Sequence, residues 1–278
     1  MPGYPSPTIS WSPTPSVLAG VTLITVLYVL GWRRARAVRD GDRGPNPHRP
    51  GYGRLALFAA GIATVLAALV SPIDSLSDQL LVIHMVQHML LLDIAPILLI
   101  LSLNKVLLRP VTRRVHWLER RAGFLAHPVF AVVAYVGLLW AWHVPAMYDL
   151  ALTHNTIHVL EHLCFSASGT LYWWHLLSPI RSRHRLGGMG PILYMVSSKV
   201  LVGLLGIVLA FAPTSIYPFY AHQPHYWGLS PGQDQSMAGL VMALEQSVVM
   251  GIALVVVFMR SLTESERDAQ REERLELA

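Results

Sequence analysis

Residues 81–101 read LVIHMVQHMLLLDIAPILLIL, an apolar run that carries two histidines and two methionines within six residues. About 20 predominantly apolar residues form an α-helix long enough to cross about 30 Å of hydrocarbon. Polar side chains at that depth are costly and are retained mainly where they have a function. The stretch therefore predicts a membrane-spanning helix that carries a candidate site at His84, Met85, His88 and Met89.

The composition of the whole chain indicates a membrane protein. Apolar residues make up 53% of it and charged residues 13%, whereas soluble domains are about 25% charged. The chain contains seven apolar segments, which we predict to be membrane-spanning helices at 16–33, 54–71, 80–103, 127–146, 154–177, 190–212 and 237–260. The predicted fold is therefore all-α and polytopic, with seven transmembrane helices. Residues 1–15 form an extracytoplasmic tail, 16–260 the bundle and 261–278 a charged cytoplasmic tail.

The distribution of basic residues predicts the orientation of these helices. Of the 21 lysines and arginines, 20 lie in the connections at 33–54, 104–126 and 178–189 and in the tail from residue 260. The N-terminal tail and the loops near 72–79, 147–153 and 213–236 have none. Because short basic loops remain in the cytoplasm, the N-terminus is expected outside and the C-terminus inside. The net charge of +5 thus reflects topology rather than nucleic-acid binding.

In this topology, histidines from three predicted helices lie near the outer surface. His84 and His88 are separated by one turn and about 40° around the helix axis, so they share a face. His143 ends the fourth predicted span. Within one arc of about 100° at the start of the fifth span lie His154, His158, Glu161 and His162.

This arrangement predicts a metal site. Neutral imidazole is the commonest metal ligand, and it suits copper or zinc. The expected ligands are His84, His88, His143, His158 and His162. Met85, Met89 and His154 are weaker candidates, since the methionines lie about 100° and 140° from His84 on the helical wheel, although thioethers favour monovalent copper. Glu161 could orient a ligating imidazole. The only cysteine is Cys164, which excludes an internal disulfide and a Cys-rich metal site.

Three charged residues are predicted near the middle of the membrane: Asp93, Lys199 and Glu245. An isolated charge there costs a few kcal/mol, about 3 on an insertion scale. We therefore expect Lys199 to pair with Asp93 or Glu245, either as a structural ion pair or as part of a proton or ion path. Asp93 lies about 180° from His84 on the helical wheel and is expected to face away from the histidines.

Four segments, HMVQHMLLLDIAP, WAWHVPAMYDLAL, HVLEHLCF and DQSMAGLVM, resemble signature segments of the seven-helix CtaG-type cytochrome c oxidase assembly factors of bacteria. The resemblance covers about residues 16–260. It implies a multi-pass protein of the bacterial plasma membrane that handles copper during biogenesis of haem–copper oxidases. The implied partner on the outer side is an oxidase subunit or another copper-trafficking protein. Asp234 and Gln235 open the last motif and would support the metal ligands. The segment ALEQS, which contains Glu245, departs from the family pattern.

Three functions remain open on the residues themselves. The favoured one is a copper-binding assembly factor without catalytic residues. The second is an intramembrane zinc hydrolase, because HVLEH at 158–162 matches the H-x-x-E-H pattern with Glu161 as general base. That pattern fixes only three positions. The third is a bis-His haem protein for electron transfer, for which the histidines are too closely spaced.

Overall fold

The computed structural model describes residues 4–37, 50–180, 184 and 186–276. These residues form α-helices and two short 3₁₀ turns, with no β-strand among them. The helices are α1 (Pro15–Ala37), α2 (Tyr52–Leu69), α3 (Pro72–Ser77), α4 (Leu81–Ser102), α5 (Lys105–Leu108), α6 (Thr112–Ala122), α7 (Pro128–Trp142), α8 (Pro145–Thr153), α9 (Asn155–Leu177), α10 (Gly190–Phe211), α11 (Pro218–Ala221) and α12 (Pro231–Glu276).

Each of the seven apolar segments coincides with one of the longer helices, namely α1, α2, α4, α7, α9, α10 and α12. Within the described ranges, five are long and apolar enough to cross a membrane by themselves: α1, α2, α4, α10 and the Pro231–Met259 part of α12. The segment Thr112–Ala126 and α7 would form a sixth span, bent by 62°. Length and composition therefore support five or six spans, fewer than the seven expected.

The α4 helix lies at the centre of the molecule. It packs against α2, α3, α9 and α12, while α10 packs along α12 and α7. The aromatic side chains of Tyr135, Phe165, Tyr172 and Trp173 are fully buried between these helices. The α1 helix lies at the periphery, mainly against α2 and α5, and exposes most of its apolar surface.

A close contact between α4 and α9 fixes the distance between the two helices that carry most of the histidines. The α4 helix contains a π-helical turn at Leu90–Ile94, followed by Pro96. Proline has no backbone N–H, so Pro96 cannot donate to the carbonyl group of Leu92. Gly169 of α9 lies over this carbonyl group, and a Cβ atom at position 169 would lie 1.9 Å from the Leu92 oxygen. Only glycine permits this approach.

Part of the predicted cytoplasmic charge lies outside the described residues. This applies to Arg39, Arg43, Arg49, Arg181, Arg183 and Arg185. The predicted C-terminal tail from residue 261 continues α12 as far as Glu276.

Candidate metal centre

The five predicted histidine ligands meet where α4, α7 and α9 converge. The rings of His84 and His88 have centroids 4.2 Å apart. His158 lies 5.3 Å from His84, and His162 lies 5.7 Å from His88. His143, which follows the last residue of α7, lies 6.3 Å from His88. The helical spacing seen in the sequence thus brings imidazole groups from three helices around His84 and His88.

These side chains are buried, but many of their polar atoms have no protein partner. His84 and Glu161 are 0% exposed, and His88 is 3% exposed. Hydrogen-bond partners are missing in the described structure for Nε2 of His84, His158 and His162, both nitrogens of His88 and both oxygens of Glu161. A buried polar atom without a partner costs about 1–3 kcal/mol, and such atoms are few in native proteins. The cluster therefore fits a bound cation better than ordinary packing.

Glu161 lies among the possible ligands themselves rather than behind them. One nitrogen each of His84 and His88 and one oxygen of Glu161 all lie within 4.8 Å of one another. The distance from His88 Nε2 to Glu161 Oε1 is 3.8 Å, too long for a hydrogen bond. An oxygen of Glu161 therefore lies beside the nitrogen donors, and the orienting role of Glu161 stays a prediction.

Tyr220 determines which nitrogen of His84 carries the proton. Its hydroxyl group donates a hydrogen bond to the carbonyl group of Ser77 and lies 3.0 Å from Nδ1 of His84. Burial raises the pKa of Tyr220 well above its ordinary value, so the hydroxyl group keeps its proton. Since that proton is already donated to Ser77, Nδ1 of His84 must be the donor to Tyr220. Nε2 of His84 then carries a lone pair that faces the other histidines and can bind a cation.

His143 has a similar arrangement. Its Nδ1 lies 2.7 Å from the carbonyl oxygen of Leu139, which can only accept a hydrogen bond. Its Nε2 lies 3.4 Å from the sulfur of the buried Met85. Met89 is only partly buried, and His154 is exposed, with Nδ1 3.0 Å from the hydroxyl oxygen of Thr153. His154 therefore lies outside the cluster.

Asp234 and Gln235, which the resemblance implies as support for the ligands, form hydrogen bonds with backbone groups. The carboxylate oxygens of Asp234 accept hydrogen bonds from the backbone N–H groups of Leu81 (2.7 Å) and Val82 (3.0 Å). The side chain of Gln235 accepts a hydrogen bond from the backbone N–H group of Ile216 (2.7 Å). Asp234 thus holds the first turn of α4, which carries His84, and Gln235 holds the loop before α11.

The expected pairing of Lys199 is not formed. Among the described residues, no carboxylate oxygen lies within 4.0 Å of the Lys199 amino group, and the Lys199 side chain is partly exposed. Asp93 instead accepts hydrogen bonds from neutral donors, Trp173 Nε1 at 2.7 Å and the Tyr135 hydroxyl group at 2.8 Å. Neutral donors on α7 and α9 therefore satisfy this carboxyl group without an ion pair.

The helical wheel places Asp93 and His84 on opposite faces of α4, yet Asp93 borders a cavity that His88 also lines. Asp93 and Glu245 line the same small cavity as His88 and His143. Asp93 lies within the π-helical turn Leu90–Ile94, where the rotation per residue differs from that of an α-helix. The calculation that assumed 100° per residue therefore does not hold across this turn.

Comparison with known proteins identifies the family of this chain and several relatives. The model of the cytochrome c oxidase caa3 assembly factor family matches residues 26–264. An uncharacterized protein of Mycobacterium leprae is 23% identical over 92% of this chain and 40% of the relative. Uncharacterized proteins of Mycobacterium bovis and Mycobacterium tuberculosis are 26% identical over the same shares.

The chain therefore spans about two fifths of the length of these curated relatives. No solved structure matches it. The family match covers most of the chain, including the three helices α4, α7 and α9 at which the histidine cluster lies. The chain belongs to the cytochrome c oxidase caa3 assembly factor family.

Proposed function

We propose that this protein binds copper at the histidine cluster and delivers it to a subunit of a haem–copper cytochrome c oxidase or to another copper-trafficking protein. Family membership supports the role in oxidase assembly. The observation that carries the copper proposal is the set of buried nitrogen and oxygen atoms without partners on His84, His88, His158, Glu161 and His162. Imidazole groups suit copper, and a carboxylate offsets part of the charge of the ion.

The cluster can release copper by ligand exchange, without a change in the oxidation state of the ion. Neutral imidazoles bind through a lone pair, so one ligand can leave as a ligand from a partner protein arrives. The copper ion keeps its charge, and no electron is transferred. This function requires no nucleophile and no general base, and we assign no catalytic residue to the chain.

We also infer that the chain crosses the bacterial plasma membrane seven times, with the N-terminus outside and the cluster near the outer surface. Besides the five or six spans that length and composition support, this count includes α9, whose polar residues lower its average hydropathy. Its buried face carries Glu161 and His162, whereas Val159, Leu160 and Leu163 are at least half exposed. An apolar outer face with a polar inner face is expected for a bundle helix in lipid.

Cysteine labelling in intact cells tests this topology. In a Cys164→Ser background, His222→Cys should react with a membrane-impermeant maleimide added from outside. Arg113→Cys should react only after the membrane is permeabilised. The reverse pattern, or equal labelling of both positions in intact cells, would contradict the orientation.

Metal content tests the copper site. Purified full-length protein in detergent should retain copper after incubation with copper(I) and removal of excess metal. The His84→Ala, His88→Ala double variant should lose most of it. A matched control is His116→Ala, His225→Ala, which removes two exposed histidines elsewhere and should keep wild-type copper content. Full metal content in the first variant would contradict the proposal.

The same samples distinguish the alternative functions. Zinc in place of copper, together with cleavage of peptide or lipid substrates, would favour a zinc hydrolase that uses His158, Glu161 and His162. A Soret absorption band in the purified protein would favour a haem protein. In cells that carry only the His84→Ala, His88→Ala variant, we expect loss of cytochrome c oxidase activity from the membranes.

A further inference from the structure

A small cavity lies beside the histidine cluster, between α4, α7, α10 and α12. Its volume is about 20 Å³, which is sufficient for one water-sized particle. Its walls include two imidazoles and three thioethers, which belong to Met85, His88, Met89, His143 and Met242. Donor groups of two kinds therefore surround one small space, and Met242 contributes to it from α12.

The contact between His143 and Met85 contains no hydrogen atom. Nδ1 of His143 lies 2.7 Å from the Leu139 carbonyl oxygen, so Nδ1 carries the ring proton of a neutral imidazole. Nε2 then has a lone pair, and so does the thioether sulfur that lies 3.4 Å away. Two lone pairs that face each other in a buried site gain nothing from one another. A cation that accepts both would satisfy them.

Two acidic residues also border the cavity. Asp93 and Glu245 contribute to its walls, and Asp93 is 0% exposed. Oε1 of Glu245 has no hydrogen-bond partner within the described part of the chain. These two carboxyl groups therefore lie next to the sulfur and imidazole groups, and Asp93 is already hydrogen-bonded to Trp173 and Tyr135.

We propose a second and softer copper site, in which Met85 and His143 bind one monovalent ion and Met242 and Met89 lie within reach as further sulfur donors. Thioether and imidazole ligands together select copper(I) over zinc. The site rests on the proposed copper function, since it would receive its ion from the histidine cluster. His88 borders both sites. Bonds from copper to the cluster would break as bonds to sulfur form, with no change in the charge of the ion.

Copper(I) titration of the full-length protein in detergent tests this inference. Under anaerobic, reducing conditions and in competition with a chromogenic chelator, the wild type should bind two copper(I) ions per chain. X-ray absorption at the copper edge should show scattering from sulfur. Met85→Leu should bind one ion and lose the sulfur signal. Met195→Leu replaces a methionine that is equally buried outside the cavity and should keep both ions.

Two further measurements separate loss of the second site from misfolding and from failure of the whole proposal. His158→Ala, His162→Ala should lose one ion and keep the sulfur signal. Met85→Leu should still bind one zinc ion at the histidine cluster, which shows that it is folded.

A wild type that binds one copper(I) ion without sulfur scattering, unchanged by Met85→Leu, would overturn the second site and leave the first intact. A wild type that binds no copper(I) would overturn both.

Discussion

The Tyr220 hydroxyl group and Nδ1 of His84 lie 3.0 Å apart, although 136 positions separate them in the sequence. Tyr220 lies in the short α11 helix, outside the predicted spans, whereas His84 is the fourth residue of α4. This hydrogen bond connects the loop before α12 to the histidine cluster. It also leaves the unpartnered Nε2 of His84 as the atom that can bind a metal.

Removal of this hydroxyl group tests its role. Tyr220→Phe keeps the ring but no longer fixes the tautomer or orientation of His84. Loss of a residue that orients a metal ligand typically weakens metal binding about 10–100-fold. We expect copper(I) to bind about tenfold more weakly in chelator competition. Tyr52→Phe, which changes an exposed tyrosine in α2, serves as the control. Equal affinities for the wild type and Tyr220→Phe would exclude this role.

Glu161→Gln should change metal affinity and stability in opposite directions. Both oxygens of Glu161 are buried without a partner, and an unpaired buried charge destabilises a fold. Because the amide cannot ionise, it should raise the thermal unfolding midpoint of the metal-free protein at alkaline pH, where the carboxyl group of the wild type ionises. It should also weaken copper binding by at least about tenfold, since a negative ligand is lost. Glu266→Gln, at an exposed position of α12, should change neither quantity. A lower midpoint together with unchanged copper affinity would show that Glu161 is structural.

Asp234 should stabilise the fold by accepting hydrogen bonds from the first residues of α4. Its carboxylate group accepts two backbone N–H groups that α4 itself cannot satisfy. Asp234→Ala should lower the free energy of unfolding by about 1–3 kcal/mol, measured by thermal unfolding in detergent. Asp234→Asn keeps one acceptor oxygen and should show a smaller loss. If the two variants are equally stable, the charge and not the acceptor geometry is the important feature.

The close approach of α9 and α4 should depend on Gly169. In Gly169→Ala, the new methyl group would collide with the Leu92 carbonyl group and force the helices apart. We expect a stability loss of about 1–3 kcal/mol and weaker copper binding, because His158 and His162 move away from His84. Gly137→Ala in α7, where a Cβ atom meets nothing within 4 Å, is the matched control. A Gly169→Ala protein with wild-type stability and copper affinity would show that this contact is not needed.

Periodicity in the sequence predicts much of this structure. The seven apolar segments fall on helices, and the four-residue spacing of His84 and His88, and of His158 and His162, puts each pair on one face. These features are local, since they follow from the rotation of a helix about its own axis. Hydropathy does not identify α9 as a span, because this helix combines exposed apolar residues with the buried Glu161 and His162.

Features that depend on contacts between distant segments could not be predicted in this way. The path of the loop before α12 decides that Tyr220 meets His84, and no spacing pattern encodes it. Lys199 was wrongly expected to pair with Asp93 or Glu245, because charge alone does not reveal that Trp173 and Tyr135 supply neutral donors. The π-helical turn at Leu90–Ile94, which contains Asp93, also changes the rotation per residue that a helical wheel assumes.

The central claim is that copper binds between His84, His88 and Glu161. Crystals of the full-length protein grown with copper(I) allow a direct measurement, the anomalous scattering recorded on both sides of the copper absorption edge. We predict an anomalous peak within bonding distance of nitrogen atoms of His84 and His88. The absence of a peak there, or a peak only at exposed histidines such as His222 and His225, would contradict the claim.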